Sequence, residues 1–528
     1  MNPPDLREPS SPRGSPVTLL TFLAIILSRP SPADDAPAEP AVRYLPACAE
    51  VSERSLRSTV GFLASAELTG REPGTDGFRV ASRYVASELE ACGVEPGGDD
   101  GTYFQNFELV RHETLLAEAT LERGDGEDAD EVELEGRIAA ELRASIDWRG
   151  PWAFAGHGEA GEVDGRDDFH ALETELGETL ADTVVLVFPP RRREVPLAFG
   201  ARTKGVHRLV VVADGRTIRR RQRSRRGRLL PPYRVEEPDP AAPDTVWITA
   251  EVADFLLAPE GTSVAELRDA DPARSFVFRR SRPRLAIERR ETSFITRNVV
   301  GVLPGRDDDL RAEHVSLGAH LDHVGGSGER IFHGADDDGS GCAVLLEIAR
   351  AYSRMGQRPR RSLLLLFYSA EEIGLIGSRY FVDHPTVPLE DLVVNFNLDM
   401  VGRNEERRSD DPEKAERAED NVLTIHPVGS RRHSLELQPW IDRLNEREGL
   451  VFEQDEEENV YRRSDHYNFA ERGVPVTFFF GGFHPDYHQV TDTAEKLNYD
   501  KMARLTRLLV ALTYEIAERP RRLVNNRL

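Results

Sequence analysis

Imidazoles and carboxylates recur along this chain just behind short apolar runs, in types and spacings able to hold divalent cations. The run Val315 to Ala319 delivers His320 and Asp322. In extended backbone a spacing of two puts both side chains on one face, so a carboxylate could orient the imidazole of a ligating histidine. Gly334-Ala335-Asp336-Asp337-Asp338-Gly339 is a glycine-flanked acidic turn leading into an apolar helical pattern. Alone, such an Asp run is ordinarily a solvated loop or a helix cap. Leu363 to Tyr368 runs on into Ser369-Ala370-Glu371-Glu372, and adjacent carboxylates at a strand end repel unless a cation or a shared proton holds them. Leu392 to Asn397 leads to Asp399, and beyond the run ending at Phe480 come His488 and Asp492. Imidazole with carboxylate suits Zn²⁺, with Mn²⁺ or Co²⁺ as substitutes. Each group taken singly has an ordinary structural reading. Together they sit at the ends of successive strands on one edge of what reads as a single sheet.

The elements that must position them follow from periodicity. From Thr296 onward the strand-like runs Asn298 to Leu303, His314 to Ala319, Leu363 to Tyr368, Leu392 to Asn397, Val422 to Ile425 and Val474 to Phe480 alternate with helical patterns such as Ala343 to Tyr352 and Met502 to Ile516. This alternation predicts an α/β fold with a mixed, largely parallel sheet flanked by helices, in which ligands bind beyond the carboxyl ends of the strands. Residues 290–520 form this α/β domain and residues 48–140 its N-terminal part, where Val60, Phe62 and Leu63, then Val80, Tyr84, Val85 and Leu89, recur at helical spacing and Gly93 ends the second helix. Residues 145–285 change to short β-type runs between Pro-, Gly- and Arg-rich stretches, which predicts a small β-rich inserted domain. The basic run Arg219 to Arg228 reads as a solvated loop, and Arg403 to Asp420 as a polar loop between two strands.

The ordered set His320-Leu321-Asp322, Gly334-Ala335-Asp336-Asp337, Ala370-Glu371-Glu372-x-Gly374-Leu375-x-Gly377-Ser378, Asn397-x-Asp399-Met400, Ser464-Asp465-His466 and His488-x-x-x-Asp492-Thr493 closely resembles the M28 family of zinc aminopeptidases. The resemblance runs through about residues 296–500; Gly70-Arg71-Glu72-Pro73-Gly74 and Gly101-Thr102-Tyr103-Phe104-Gln105 look like that family's opening segment, and the insert loosely resembles its protease-associated (PA) domain. The resemblance implies a zinc exopeptidase-like fold holding two Zn²⁺ ions. Asp337 would bridge them, His320 and Asp399 would complete one, and Glu372 and His488 the other. Glu371 would be the general base and later the general acid, Asp322 would support His320, and Tyr461 would stabilise the oxyanion. Around Tyr461 the sequence Val460-Tyr461-Arg462-Arg463 departs from the family's cysteine-bearing loop. The implied reaction is removal of N-terminal residues from peptides with a free N-terminus, through a water activated between the metals.

Alternative readings on the same centre are a carboxypeptidase or dipeptidase, or a single-zinc glutaminyl cyclase, although the Gly-Leu-x-Gly-Ser following Glu372 favours the hydrolases. A non-catalytic receptor on the same fold is a further class, opposed by the presence of all five ligand positions and Glu371. No G-x-S-x-G elbow and no H-E-x-x-H occurs, which argues against a serine hydrolase and a thermolysin-like enzyme. The 528 residues carry a net charge of −24, against a general nucleic-acid binder. Arg7 and Arg13 before the apolar stretch Val17 to Leu27, with a Pro/Ala-rich segment after it, have the layout of a signal peptide and linker over residues 1–40, with cleavage near Ala36-Pro37-Ala38. A secreted or periplasmic protein without a membrane span after processing is expected. Three cysteines rule out a disulfide framework, leaving a Cys48–Cys92 bridge as the pairing an oxidising compartment would allow. Oligomeric state is not legible.

Overall fold

The computed structural model describes residues 45–526, apart from 125–128, 160–166, 190–200, 224–227, 231–242, 271–274, 329, 408–414 and 456. The expected signal peptide lies outside the described residues, and no helix among them is long and apolar enough to cross a membrane.

Period-two burial explains the central layer. The strands used below are β1 Phe104–Arg123, β2 Pro283–Leu303, β3 His314–His320, β4 Ser362–Tyr368, β5 Leu392–Asp399, β6 Thr424–Val428 and β7 Val476–Phe480. In β4, Leu363, Leu365 and Phe367 pack into one core, while Leu364, Leu366 and Tyr368 pack into another on the opposite face. Both faces are covered, so β3, β4 and β5 are buried along their whole length. The first core is closed by helices α1 Glu53–Leu63, α2 Asp76–Ala91, α3 Gly339–Ser353 and α4 Tyr499–Glu518. The second takes Phe381 and Phe469 from short helices on the other side.

The sheet runs β6-β7-β5-β3-β4-β2-β1. Its middle, β7-β5-β3-β4, is parallel, and both flanks are antiparallel. The carboxyl ends of β3, β4, β5 and β7 therefore share one edge, as the strand ends required. The flank is more extended than the sequence suggests. β1 and β2 pair over nearly their full length, with one register shift at Ala286/Glu288, and form a long ladder leading away from the sheet.

At the far side of that ladder lies a second, six-stranded sheet, in order Phe276–Val277, Trp152–Phe154, Val184–Val187, Arg208–Val212, Asp244–Ile248 and Ile138–Glu141. Its four middle strands are parallel and helices lie between them in sequence, so this segment is α/β rather than β-rich. The basic run is also corrected in its described part: Gly215–Arg223 is a helix, begun by the Asp214 carboxylate accepting from the Thr217 N–H at 2.6 Å and anchored by buried Ile218. All three cysteines are free thiols; Cys48 is buried with its Sγ 3.6 Å from the Arg507 carbonyl, so the Cys48–Cys92 bridge does not form.

One buried side chain locks the site's loops to this frame. The Arg71 guanidinium is fully buried and donates to four carbonyls: Leu321 (2.8 Å), Leu63 (2.5 Å), His333 (2.8 Å) and Gly334 (2.9 Å). It thus joins the end of α1, the chain leaving β3 and the loop before the Asp run. Replacing it by a side chain without donors strands buried acceptors. Arg71→Met is expected to cost about 3–5 kcal/mol, read as a lowered denaturant midpoint at an unchanged slope.

Candidate metal centre and active site

The three consecutive aspartates divide their labour. Asp336 accepts from the Gly402 N–H (2.6 Å) and meets Nε2 of His484 (3.1 Å). Asp338 caps α3 through the Gly341 N–H (2.9 Å) and also accepts from the His320 N–H (3.1 Å) and the Met400 N–H (3.3 Å). It therefore fastens the ends of β3 and β5 to the start of α3. Asp492 accepts from the backbone of Asp336 (3.0 Å) and Asp337 (3.3 Å). The Asp337 carboxylate is left facing the imidazoles. The run is a buried cap, not a solvated loop.

Asp337 Oδ1 lies 3.1 Å from His320 Nε2, and its Oδ2 lies 3.0 Å from His488 Nε2. Around His320, Asp399 Oδ1 follows at 3.5 Å and Glu371 Oε2 at 3.8 Å. Around His488, Glu372 Oε2 lies at 2.9 Å. The five expected ligand residues are therefore brought together, in two groups that share Asp337. Sequence patterns gave no role to His323, whose Nδ1 is 2.6 Å from Glu372 Oε1 and 3.8 Å from Asp337 Oδ2. Its signal was the spacing of three from His320.

Asp322 acts differently from expectation. Its carboxylate is 4.0 Å from His320 Nδ1, too far for a hydrogen bond, and that ring nitrogen instead meets the Asp322 backbone carbonyl at 3.1 Å. The carboxylate accepts from the N–H groups of Glu371 (3.1 Å) and Glu372 (3.4 Å). Asp322 thus positions the turn bearing both glutamates. Backbone in the left-handed region aims the groups on either side of it: Ala370 (φ 63°) before Glu371, Met400 (φ 56°) after Asp399, and His488 itself (φ 54°). Such residues cost of order 1 kcal/mol each and persist where the surroundings hold them.

Tyr461 is not brought to the cavity. Its hydroxyl lies 2.7 Å from His433 Nε2 and its ring lies under the Arg432 guanidinium. The cleft is lined by Asp337, Glu371, Glu372 and Asp399, by an apolar wall that includes Phe478, Phe480 and Phe483, and by Arg463 and Tyr487. Arg463 Nη2 donates toward the Tyr487 hydroxyl at 3.4 Å.

His320 Nε2, His488 Nε2, Glu372 Oε1 and Asp399 Oδ1 are buried and make no well-formed hydrogen bond, although each faces an oppositely disposed group. Imidazoles and carboxylates so converged fit divalent zinc. Charge crowding shifts the proton affinities of these groups. Burial, with Asp399 and Glu372 adding, pushes the Glu371 carboxyl well above the usual range, against the pull of His320. Burial opposes ionisation of Asp337 too, yet His320 and His488 hold it well below the usual range. Burial alone would lower His488, but Asp337 and Glu372 lift it to about 10.

The parts of the chain that carry these groups have known relatives. Residues 298–513 match the family model of Peptidase family M28. This segment belongs to the M28 family. The curated aminopeptidase YwaD of Bacillus subtilis is 28% identical over 238 residues, 44% of this chain. The chain spans about half the length of the curated relatives it matches, 47% for YwaD. The M28 domain with its flanks also shares its fold with an aminopeptidase from Aneurinibacillus sp. strain AM-1 (TM-score 0.53, 19% identity, covering 91% of this chain and 97% of that one) and with BSAP, a zinc aminopeptidase from Bacillus subtilis (TM-score 0.51, 19% identity, 90% and 96%).

His488, at about 10, holds a proton at pH 7 in the metal-free M28 domain, and His320 is raised well above its usual value as well. A ligating imidazole must shed that proton. Zn²⁺ titrated into the metal-free protein at pH 7 is expected to release protons, and its apparent affinity to rise with pH and fall on acidification. Calorimetry in buffers of different ionisation enthalpy measures the release.

Proposed function

We propose that this chain is a metallo-aminopeptidase that holds two Zn²⁺ ions and removes apolar N-terminal residues from peptides. The observation carrying the reading is the division of Asp337, one oxygen toward His320 and the other toward His488, with Glu371 beside the His320 group. His320 and Asp399 would hold one ion, and Glu372 and His488 the other. Two ions so held would polarise the scissile carbonyl, acidify a water and offset the crowded carboxylates. Glu371 reaches the cleft without being needed as a ligand, so it can take a proton from the attacking water and pass it to the leaving amine. Asp322 keeps Glu371 in place through the backbone. Arg463 and Tyr487, at the same wall, are the donors available to the developing oxyanion, in place of Tyr461. Phe478, Phe480 and Phe483 offer an apolar surface to the terminal side chain. The name of the relative YwaD favours an aminopeptidase over a carboxypeptidase or dipeptidase. Export, on the strength of the apolar stretch Val17 to Leu27, and a PA-like insert that narrows access to the cleft belong to the same proposal.

Fluorogenic aminoacyl substrates and their N-blocked counterparts, with and without a chelator, test it. Chelator-sensitive cleavage confined to free-amine substrates, best for apolar residues, is expected; cleavage of N-blocked ones would overturn the aminopeptidase reading. Glu371→Gln is expected to keep the parent's zinc content by elemental analysis while kcat falls about 10³-fold. Tyr487→Phe is expected to lower kcat by about 100-fold. Tyr461→Phe should leave kcat near the parent value, and a large loss there would restore Tyr461 to the oxyanion role.

A further inference from the structure

A second group of metal-ligating side chains lies outside the M28 cleft, behind its wall. Glu405, at the start of the segment following β5, and His426, in the middle of β6, are buried, and Glu453 approaches them half-buried from beyond β6. One ligand atom from each of the three lies within 4.8 Å of the others. His426 Nε2 is 2.9 Å from Glu405 Oε2, and its Nδ1 is 3.3 Å from Asp455 Oδ1. Glu405 Oε1 and His426 Nδ1 are buried without a well-formed hydrogen bond. Among the described residues, the cation nearest to Glu405 Oε1 is Arg407 Nη2, at 3.6 Å, beyond hydrogen-bond reach.

The fold makes deliberate room for this carboxylate. A Cβ on Gly482 (φ 92°) would meet the Glu405 side chain at 2.4 Å, so the glycine after Gly481 lets a glutamate be buried there. Charge is unbalanced around it. Four carboxylates, Glu405, Glu416, Glu453 and Asp455, gather about the His426 imidazole and the Arg407 guanidinium, and the buried Lys501 ammonium also acts on Glu405.

We infer that Glu405, His426 and Glu453 form a further divalent-cation site, separate from the catalytic pair, with Asp455 beside it. The imidazole among oxygen ligands selects Zn²⁺ or Mn²⁺ over Ca²⁺ or Mg²⁺. Its place gives it a structural task. His426 is paired in register with Phe480, and the Glu406 N–H donates to the Phe483 carbonyl at 2.9 Å. Both phenylalanines line the cleft. A cation here would tie the segment after β5 to β6 and hold that wall in place.

Elemental analysis of the full chain, saturated with Zn²⁺ and passed through gel filtration, tests this by difference. Wild type is expected to carry one Zn²⁺ more than His426→Ala and one more than Glu453→Gln. The comparison does not depend on how many ions the catalytic centre holds, so its failure and that of the two-zinc reading are separable. Equal zinc in wild type and Glu453→Gln would overturn the site and leave a hydrogen-bonded His426–Glu405 pair. Glu453 is half-buried, so Glu453→Gln gives the deciding measurement if His426→Ala does not fold. In direct titration of Zn²⁺, Glu453→Gln is expected to lose at least tenfold in affinity at this site, and an unchanged affinity counts against it.

Discussion

Like charges gathered out of water are the constraint on which this structure turns. Asp337, Glu371, Glu372 and Asp399 converge at one end of a buried sheet, where solvent cannot screen them. Such a cluster persists only if cations or protons balance it and if the backbone carrying it cannot relax away. The imidazoles of His320 and His488 supply the proton-binding side of that balance in the metal-free protein, which holds the His488 pKa high and that of Asp337 low. Divalent ions are the natural replacement for those protons, and the M28 domain offers them the oxygen and nitrogen donors they take.

The second requirement is met by groups that never face the cleft. Asp322, Asp338 and Asp492 spend their carboxylates on backbone N–H groups of the ligand-bearing turns. Arg71 does the complementary work with carbonyls. Acidic residues outnumber the ligands at this edge because half of them are scaffolding: they satisfy amides that strand ends would otherwise leave unpaired. The same logic applies on the far side of Phe480, where Glu405 and His426 are buried behind the cleft wall.

Much of this was legible beforehand, for a local reason. A parallel strand buried on both faces is a short apolar run, and the residue after it must emerge at the carboxyl edge. His320, Glu371, Glu372 and Asp399 could therefore be assigned to one edge without coordinates. By composition the basic run from Arg219 reads as a solvated loop, whereas Asp214 and Ile218 start and anchor a helix that includes its described part. The segment after β5 reads as a polar loop, and nothing local marks Glu405 as buried; Gly482, which makes room for it, lies far along the chain.

From its own order of residues the chain determined the ligand types, the strands that carry them and the alternation that sets those strands parallel. What a carboxylate or hydroxyl faces was decided only in three dimensions. Asp322 turned from imidazole to backbone amides, Tyr461 was drawn to His433, and Arg463 and Tyr487 took the place at the cleft. The physical reason is that strand and helix periods determine which side of an element a residue occupies. A side chain's partner depends instead on turns in the left-handed region and on atoms contributed by segments remote in sequence, and no local pattern encodes these.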